Sequence, residues 1–239
     1  MTGLSAMRRG VLIVVEGLDR AGKSSQCEVL RGFLSEQGHT VKYIRFPGIQ
    51  LNCIASMYHW SNASIDRTTP IGKLIDSYLR GSSHQDDHSI HLLFSANRWE
   101  VAKSIEEDIA SGTTIIVDRY SYSGVVYSAA KANPTLSLDW AWQPEIGLPR
   151  PDICLFLGIS PEEAAKRGGF GAERYENEAM QIRVRELFQT IFEKMQDVAV
   201  IDAGKSMGEV SKEIRGAVTG CISRLDITST LRKLEPLAN

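Results

Sequence analysis

The chain has 239 residues, 43% of them hydrophobic and 23% charged, with a net charge of −2 at neutral pH. That composition suits a globular α/β protein with a sizeable core and excludes a disordered or fibrous one. The near balance of charge excludes a broad basic footprint for nucleic acid, so any phosphate recognition is local, and no apolar stretch reaches the roughly 18 residues of a membrane span.

The first strand-like run, Val11–Val15, leads directly into Gly17-Leu18-Asp19-Arg20-Ala21-Gly22-Lys23-Ser24, which spells G-x-x-x-x-G-K-S. Glycines at both ends let such a loop wrap an anion with its backbone N–H groups turned inward, and the helix that follows adds the positive end of its dipole. Lys23 then reaches the β- and γ-phosphates of a nucleoside triphosphate, and Ser24 offers a hydroxyl to Mg²⁺. A helical pattern runs from Ser25 to Gln37, followed by a second strand, Val41–Phe46. The stretch from Gly48 to Asp66 has neither helical periodicity nor strand alternation. A long helical pattern extends from about Asp87 to Ile109 and carries Phe94 and Arg98 four residues apart, on one face. An aromatic ring with a guanidinium one turn on suits a flat base with a carbonyl edge, although a core Phe beside a surface Arg in an ordinary amphipathic helix gives the same pattern.

Further strands are predicted at Thr114–Asp118, Asp152–Leu157 and Val198–Asp202. Alternation of strands with helices gives βαβ units and a mainly parallel sheet covered on both faces. In such a sheet ligands collect beyond the carboxyl ends of the strands, which is where Asp19-Arg20, Phe46-Pro47 and Asp118-Arg119 fall. No internal repeat or linker divides the chain, so one domain over residues 1–239 is expected. The four cysteines, Cys27, Cys53, Cys154 and Cys221, form no C-x-x-C pair and read as reduced, buried thiols of an intracellular protein. The first ten residues lack a long apolar region, so no secretory signal is expected, and Met7 is an alternative start.

The segments GLDRAGKSS, RFP, RTTPIGKLI, DDHSIHLLFSANRWE, VDRYSYSG, LPRPDICLFL and RGGFGAERYE together resemble, in order and over nearly the whole length, the thymidylate kinase family in its eukaryotic form. The resemblance implies a three-layer P-loop NTPase fold with about five parallel strands and transfer of the γ-phosphoryl group of ATP to dTMP, giving ADP and dTDP for dTTP synthesis. It implies Mg²⁺ as cofactor, held by Ser24 and, through water, by Asp118. Gly17, Arg20, Ala21, Gly22, Lys23, Ser24 and Ser25 would take the ATP phosphates, with Arg167 and Lys205 on the adenine side. For Lys205, a solvated surface lysine accounts equally well for its position.

Asp19, Arg20, Lys23 and Arg119 match catalytic positions. Arg20 is the loop arginine that stabilises the transferring group, and Asp19 is the carboxylate near the sugar 3′-hydroxyl. Arg67 matches the clamp on the acceptor phosphate, with Arg119 as a second acceptor-side arginine. Phe94 and Arg98 become thymine platform and reader, Tyr127 crowds the sugar against a ribo 2′-hydroxyl, and Phe46, Gly124 and Tyr175 complete the acceptor site. Residues 167–176 resemble a mobile lid with Gly168, Gly169 and Gly171 as pliable points. A homodimer is implied, with ATP and dTMP as the small-molecule partners, no direct nucleic acid and no membrane, and a cytoplasmic location with nucleus or mitochondrion left open. A deoxynucleoside kinase would need a carboxylate base and no acceptor-phosphate arginine, and a GTPase would need an N-K-x-D motif absent here.

The family pattern has one residue between Phe-Pro and Arg-Thr, whereas nineteen separate Phe46-Pro47 from Arg67-Thr68. Long structureless insertions are uncommon in compact domains. The segment 48–66 reads as translated intron in preference to a genuine insertion, since removing eighteen codons restores the family spacing. An alternative function follows, a nucleotide-binding but impaired form in which the segment displaces Arg67.

Overall fold

A computed structural model describes residues 9–47, 69–167, 175, 178–226 and 228–237. Five strands, β1 (Leu12–Gly17), β2 (Val41–Arg45), β3 (Thr114–Asp118), β4 (Ile153–Gly158) and β5 (Val198–Asp202), form one sheet in the order β2-β3-β1-β4-β5. Every pairing is parallel. The helices are α1 (Lys23–Glu36), α2 (Pro70–Leu79), α3 (Asp87–Ala110), α4 (Ser121–Ala129), α5 (Leu138–Trp142), α6 (Pro161–Lys166), α7 (Glu178–Phe192) and α8 (Met207–Arg224). All six residues of β1 are buried, as are all five of β3. Burial on both faces is why these strands read as continuous apolar runs rather than alternating ones.

Strand order fixes where the helices go. The chain leaves β1 in one direction along the sheet to reach β2, then returns and crosses the other way to β4 and β5. Right-handed crossovers therefore place α1 on one face and α3, α4 and α7 on the other. The packing agrees, with α1 against α8 and α4 against both α3 and α7. The reversal of direction opens a crevice at the carboxyl ends of β1 and β3, the usual ligand position in such sheets.

Local chemistry sets the helix boundaries. Thr69, Asp86, Ser137, Ser160 and Ser206 cap α2, α3, α5, α6 and α8 with their side chains. At α4 the N-cap residue, Tyr120, supplies no such bond. Its place is taken by Glu16 at the end of β1, whose carboxylate accepts from the N–H groups of Tyr120 at 2.9 Å and Ser123 at 3.0 Å and from the Ser123 hydroxyl. Helix α1 starts at Gly22, in the left-handed region at φ 86°, with no side-chain cap, so the positive end of its dipole faces the phosphate loop.

The seam beside α3 rests on a buried histidine. His91 pairs with the Ser128 hydroxyl through Nδ1 and the Ala141 carbonyl through Nε2, both at 2.8 Å. Burial, reinforced by the charge of Arg98, lowers its pKa to about 4. His91 is then neutral in the native state while the unfolded chain protonates near 6.5, so its contribution is complete above about pH 6.5 and declines as pH falls towards 4. The loss over that window should approach about 3 kcal/mol. Urea unfolding at stepped pH measures it, and His91→Gln should flatten the same part of the curve.

Candidate active site

A cleft of about 400 Å³ opens beyond the carboxyl ends of β1, β2 and β3. Along one wall lie Asp19, Arg20, Gly22, Lys23, Ser24 and Ser25 of the phosphate loop. The loop's turn depends on Gly17, at φ 148°, where an added Cβ would sit 2.5 Å from the Leu157 carbonyl oxygen. Arg20 also occupies the left-handed region, at φ 64°. Backbone strain of that kind at a non-glycine residue is characteristic of functional loops. Lys23 is buried, and its Nζ donates to the Leu18 carbonyl at 2.5 Å. Burial, with help from Arg119, lowers its pKa to about 8 against the pull of Asp19, Asp118 and Glu16.

Where β1 and β3 end side by side, an ion-pair network spans the crevice. Arg119, in the left-handed region at φ 66°, pairs through Nη2 with Asp19. Its Nη1 reaches the Gly17 carbonyl, the Ser123 hydroxyl and the Tyr127 hydroxyl, each at 3.4 Å. The guanidinium also lies 5.3 Å from the Tyr127 ring centroid. Asp19 accepts in addition from the Tyr127 hydroxyl at 3.0 Å and from Gln181 Nε2 at 2.8 Å. Burial alone would raise the Asp19 pKa, but Arg119, Lys23, Tyr127 and Gln181 outweigh it and hold the carboxyl below its ordinary value. Burial likewise opposes the charge on Arg119, yet the facing Tyr127, Asp19, Asp118 and Glu16 keep its pKa above normal. Glu16 beneath them is pushed up by burial despite its hydrogen bonds from Ser123.

The expected metal pair also meets. Asp118 Oδ2 accepts from the Ser24 hydroxyl at 2.6 Å and the Tyr43 hydroxyl at 3.0 Å, with Arg45 Nε at 3.7 Å. A serine oxygen beside a buried carboxylate is a hard-oxygen set of the sort Mg²⁺ takes while keeping most of its water.

Opposite the loop, Phe46, Phe94, Arg98, Gly124, Tyr127 and Tyr175 line the cleft, so the predicted base and sugar residues share one space with the phosphate loop. Tyr175 packs against Tyr127 at 5.7 Å between centroids, and its carbonyl accepts from Gln181. Arg98 lines the cleft with one edge of its guanidinium already paired, Nε and Nη2 being held by Glu145 Oε2 and Oε1 at 2.7 and 2.5 Å. An added Cβ at Gly124 would meet Nη2 of the same guanidinium at 2.6 Å, so glycine there makes room for it.

On the far side of the loop, Arg167 donates to the Arg20 carbonyl at 3.2 Å and the Ala203 carbonyl at 2.5 Å, joining the phosphate loop to the turn after β5. Lys205 pairs with Glu213 of α8 at 2.5 Å as an exposed surface contact and does not line the cleft. Arg67, the segment 48–66 and lid residues 168–174 and 176 lie outside the described residues, as does Cys53. Cys27 and Cys154 are buried free thiols as expected, whereas Cys221, on α8, is only half-buried.

Sequence reading missed Glu16, Arg45, Glu145 and Gln181. Glu16 left a signal, a lone carboxylate ending an apolar run, and Arg45 sits beside the conspicuous Phe46-Pro47. Glu145 and Gln181 have no local mark, being 47 and 162 residues from their partners.

The family model for thymidylate kinase matches residues 15–214. The chain belongs to the thymidylate kinase family. A thymidylate kinase from Arabidopsis thaliana is 47% identical over 217 residues, covering 91% of this chain and 74% of that protein. The Homo sapiens thymidylate kinase is 46% identical over 214 residues, covering 88% and 90%. A solved thymidylate kinase structure from Candida albicans superposes with a TM-score of 0.78 at 35% identity, covering 95% of this chain and 99% of that one. These thymidylate kinases lend no support to the alternative of an impaired, merely nucleotide-binding form.

Proposed function

We propose that the chain transfers the γ-phosphoryl group of ATP to dTMP, giving ADP and dTDP, and so feeds dTTP synthesis. The observation that carries this reading is the opening of the phosphate loop and the Phe94, Arg98, Tyr127 wall into one cleft. One cavity then holds donor phosphates and a base-bearing acceptor, as direct transfer requires. One sheet with its main core, and a smaller cluster of Ile75, Tyr78, Leu79 and Ile90 beside the cleft, support treating the chain as a single catalytic domain.

The acceptor phosphate is already an anionic nucleophile, so the protein's work is positioning and charge stabilisation rather than general-base catalysis. Lys23 and the loop N–H groups hold the β- and γ-phosphates against the start of α1, together with Gly22, Ser24 and Ser25. Arg20, which lines the cleft, stabilises charge on the group in flight. Arg119 and Arg67 receive the acceptor phosphate, Asp19 orients the sugar 3′-hydroxyl, and Tyr127 closes the space beside the 2′ position. Phe94 provides the platform for thymine and Arg98 its hydrogen-bond reader, with Phe46, Gly124 and Tyr175 bounding the site. Arg167 is the adenine-side residue, whereas the Glu213 pairing favours a surface role for Lys205. Ser24 and Asp118 would hold Mg²⁺, which when bound neutralises charge between the phosphates.

No helix among the described residues is long and apolar enough to cross a membrane. A homodimer is part of the same reading, and Leu74 of α2 and Leu92 and Trp99 of α3 are among the large apolar side chains left exposed.

A coupled ADP-release assay with dTMP, dUMP, dCMP, thymidine and AMP tests the reading. Turnover should be highest with dTMP. The preference over dUMP should be small, roughly 1 kcal/mol or a little more, because a single methyl in an apolar pocket contributes no more. The preference over dCMP should be far larger, since it rests on hydrogen bonds. Equal use of dCMP and dTMP would remove Arg98 from base reading, and turnover with thymidine alone would overturn the acceptor-phosphate assignment.

A further inference from the structure

We propose that Glu145 is a positioning residue for base selection, acting through Arg98; the proposal rests on the dTMP reading above. Glu145 does not line the cleft, and its side chain is fully buried, while that of Arg98 is 3% exposed. The pair is bidentate, with one carboxylate oxygen on Nε and the other on Nη2. That geometry consumes one edge of a planar five-donor group and leaves Nη1 and one Nη2 hydrogen on the other. Gly124 admits the guanidinium where any side chain would collide with it. A guanidinium fixed on one edge and confined beside a glycine has a single orientation in which to meet a base.

The carboxylate is itself held by its backbone. The Pro144 carbonyl accepts from Ser95 Oγ at 3.0 Å and Trp99 Nε1 at 2.8 Å, both on the helix that bears Arg98. On its other side the turn is tied to the C-terminal segment, through Trp142 Nε1 to the Glu235 carbonyl at 2.7 Å and Gly147 N–H to the Leu234 carbonyl at 2.9 Å. Glu145 therefore arrives at Arg98 pre-set rather than being recruited by ligand. Its charge also compensates a buried guanidinium that would otherwise be unpaired. The consequence is chemical. The remaining N–H donors suit a base carbonyl, the 4-oxo group of thymine, and oppose the amino group that cytosine carries at the same place. Loosening Glu145 should relax that discrimination before it affects the phosphate end of the cleft.

Glu145→Gln keeps the size of the side chain but removes one of the two acceptor oxygens and the charge. Its kcat/KM for dTMP should fall roughly tenfold or more, mainly through KM, with the ATP KM unchanged within about twofold. The ratio of kcat/KM for dTMP over dCMP should fall by about tenfold or more. Glu145→Asp retains the charge on a shorter arm and should fall between the two; it carries the test by the same ratio if Glu145→Gln does not fold. A folded variant with the wild-type dTMP-to-dCMP ratio overturns the proposal. A wild-type protein that does not discriminate between these nucleotides overturns the base-reading assignment itself, a separate result.

Discussion

Lys23→Ala should lower kcat by roughly a hundred- to a thousandfold, the equivalent of about 3–4 kcal/mol of transition-state stabilisation. The ammonium is buried at the base of the cleft and anchored to the Leu18 carbonyl, so little water is available to replace it. A desolvated charge aimed at the transferring phosphates acts more strongly than the same charge in water. Lys23→Arg should recover little, because a planar fork cannot occupy a space built for a compact ammonium. Coupled ADP release at saturating ATP and dTMP, with circular dichroism as a fold control, measures the loss. More than about a tenth of wild-type turnover in a folded Lys23→Ala protein would contradict the assignment, since the expected loss is at least about a hundredfold.

Arg119→Ala should be comparably damaging, by another route. The guanidinium pairs with Asp19, packs over Tyr127 and bonds the Gly17 carbonyl, so it joins the ends of β1 and β3 and the start of α4. Removing it leaves the largely buried carboxylate of Asp19 without its cation and costs about 3–5 kcal/mol of stability. The Asp19 pKa should rise, since Arg119 is the foremost group holding it down. Asp19 then becomes protonated at higher pH than in the wild type, and residual activity should decline at a correspondingly higher pH on the acid side. Urea unfolding and a pH–rate profile for dTMP turnover measure these two effects. An unchanged acid limb together with unchanged stability would show that the pair carries neither role. Arg119→Lys should restore part of the stability but not the full rate, because Lys cannot span Asp19 and Gly17 in one planar group.

The two substitutions differ in how their targets can be read from sequence. Lys23 is marked by a local motif whose spacing is dictated by the reach of a loop around phosphate. Arg119 is marked only by lying just past a strand end. Its partner Asp19, 100 residues earlier, is brought to it because β1 and β3 pair in register, with Val15 opposite Asp118. The five strands were legible to within two residues, most plainly β1, β3 and β4, where burial on both faces leaves a nearly unbroken apolar run; the edge strands β2 and β5 are only partly buried. Of the helices only α1 and α3 were read with bounds; α5 and α6 could not be, since five or six residues carry too few turns to show a period. The C-terminal segment that bridges to Pro149 likewise carries no local signal in the sequence. Its Pro149–Lys233 bridge depends on a partner 84 residues away rather than on any alternation of its own.

The paired face of α3 shows the division most clearly. Spacing alone put Phe94 and Arg98 on one side of a helix, and both do line the cleft. The same helix also presents His91, Ser95 and Trp99 to the segment around Ala141 and Pro144, a seam of hydrogen bonds that no periodicity announced. By itself the sequence determined the order of the strands along the chain, the anion loop and the side of the sheet on which ligands collect, because each follows from short-range sterics, burial periodicity and strand direction. Only the tertiary structure decided that Glu145 holds Arg98, that Glu16 caps α4, that Gln181 joins Asp19 to Tyr175, and that Lys205 turns to Glu213. A buried charge takes whichever counter-charge or donor the fold brings within hydrogen-bond reach, and that distance is a property of packing rather than of neighbours in the chain.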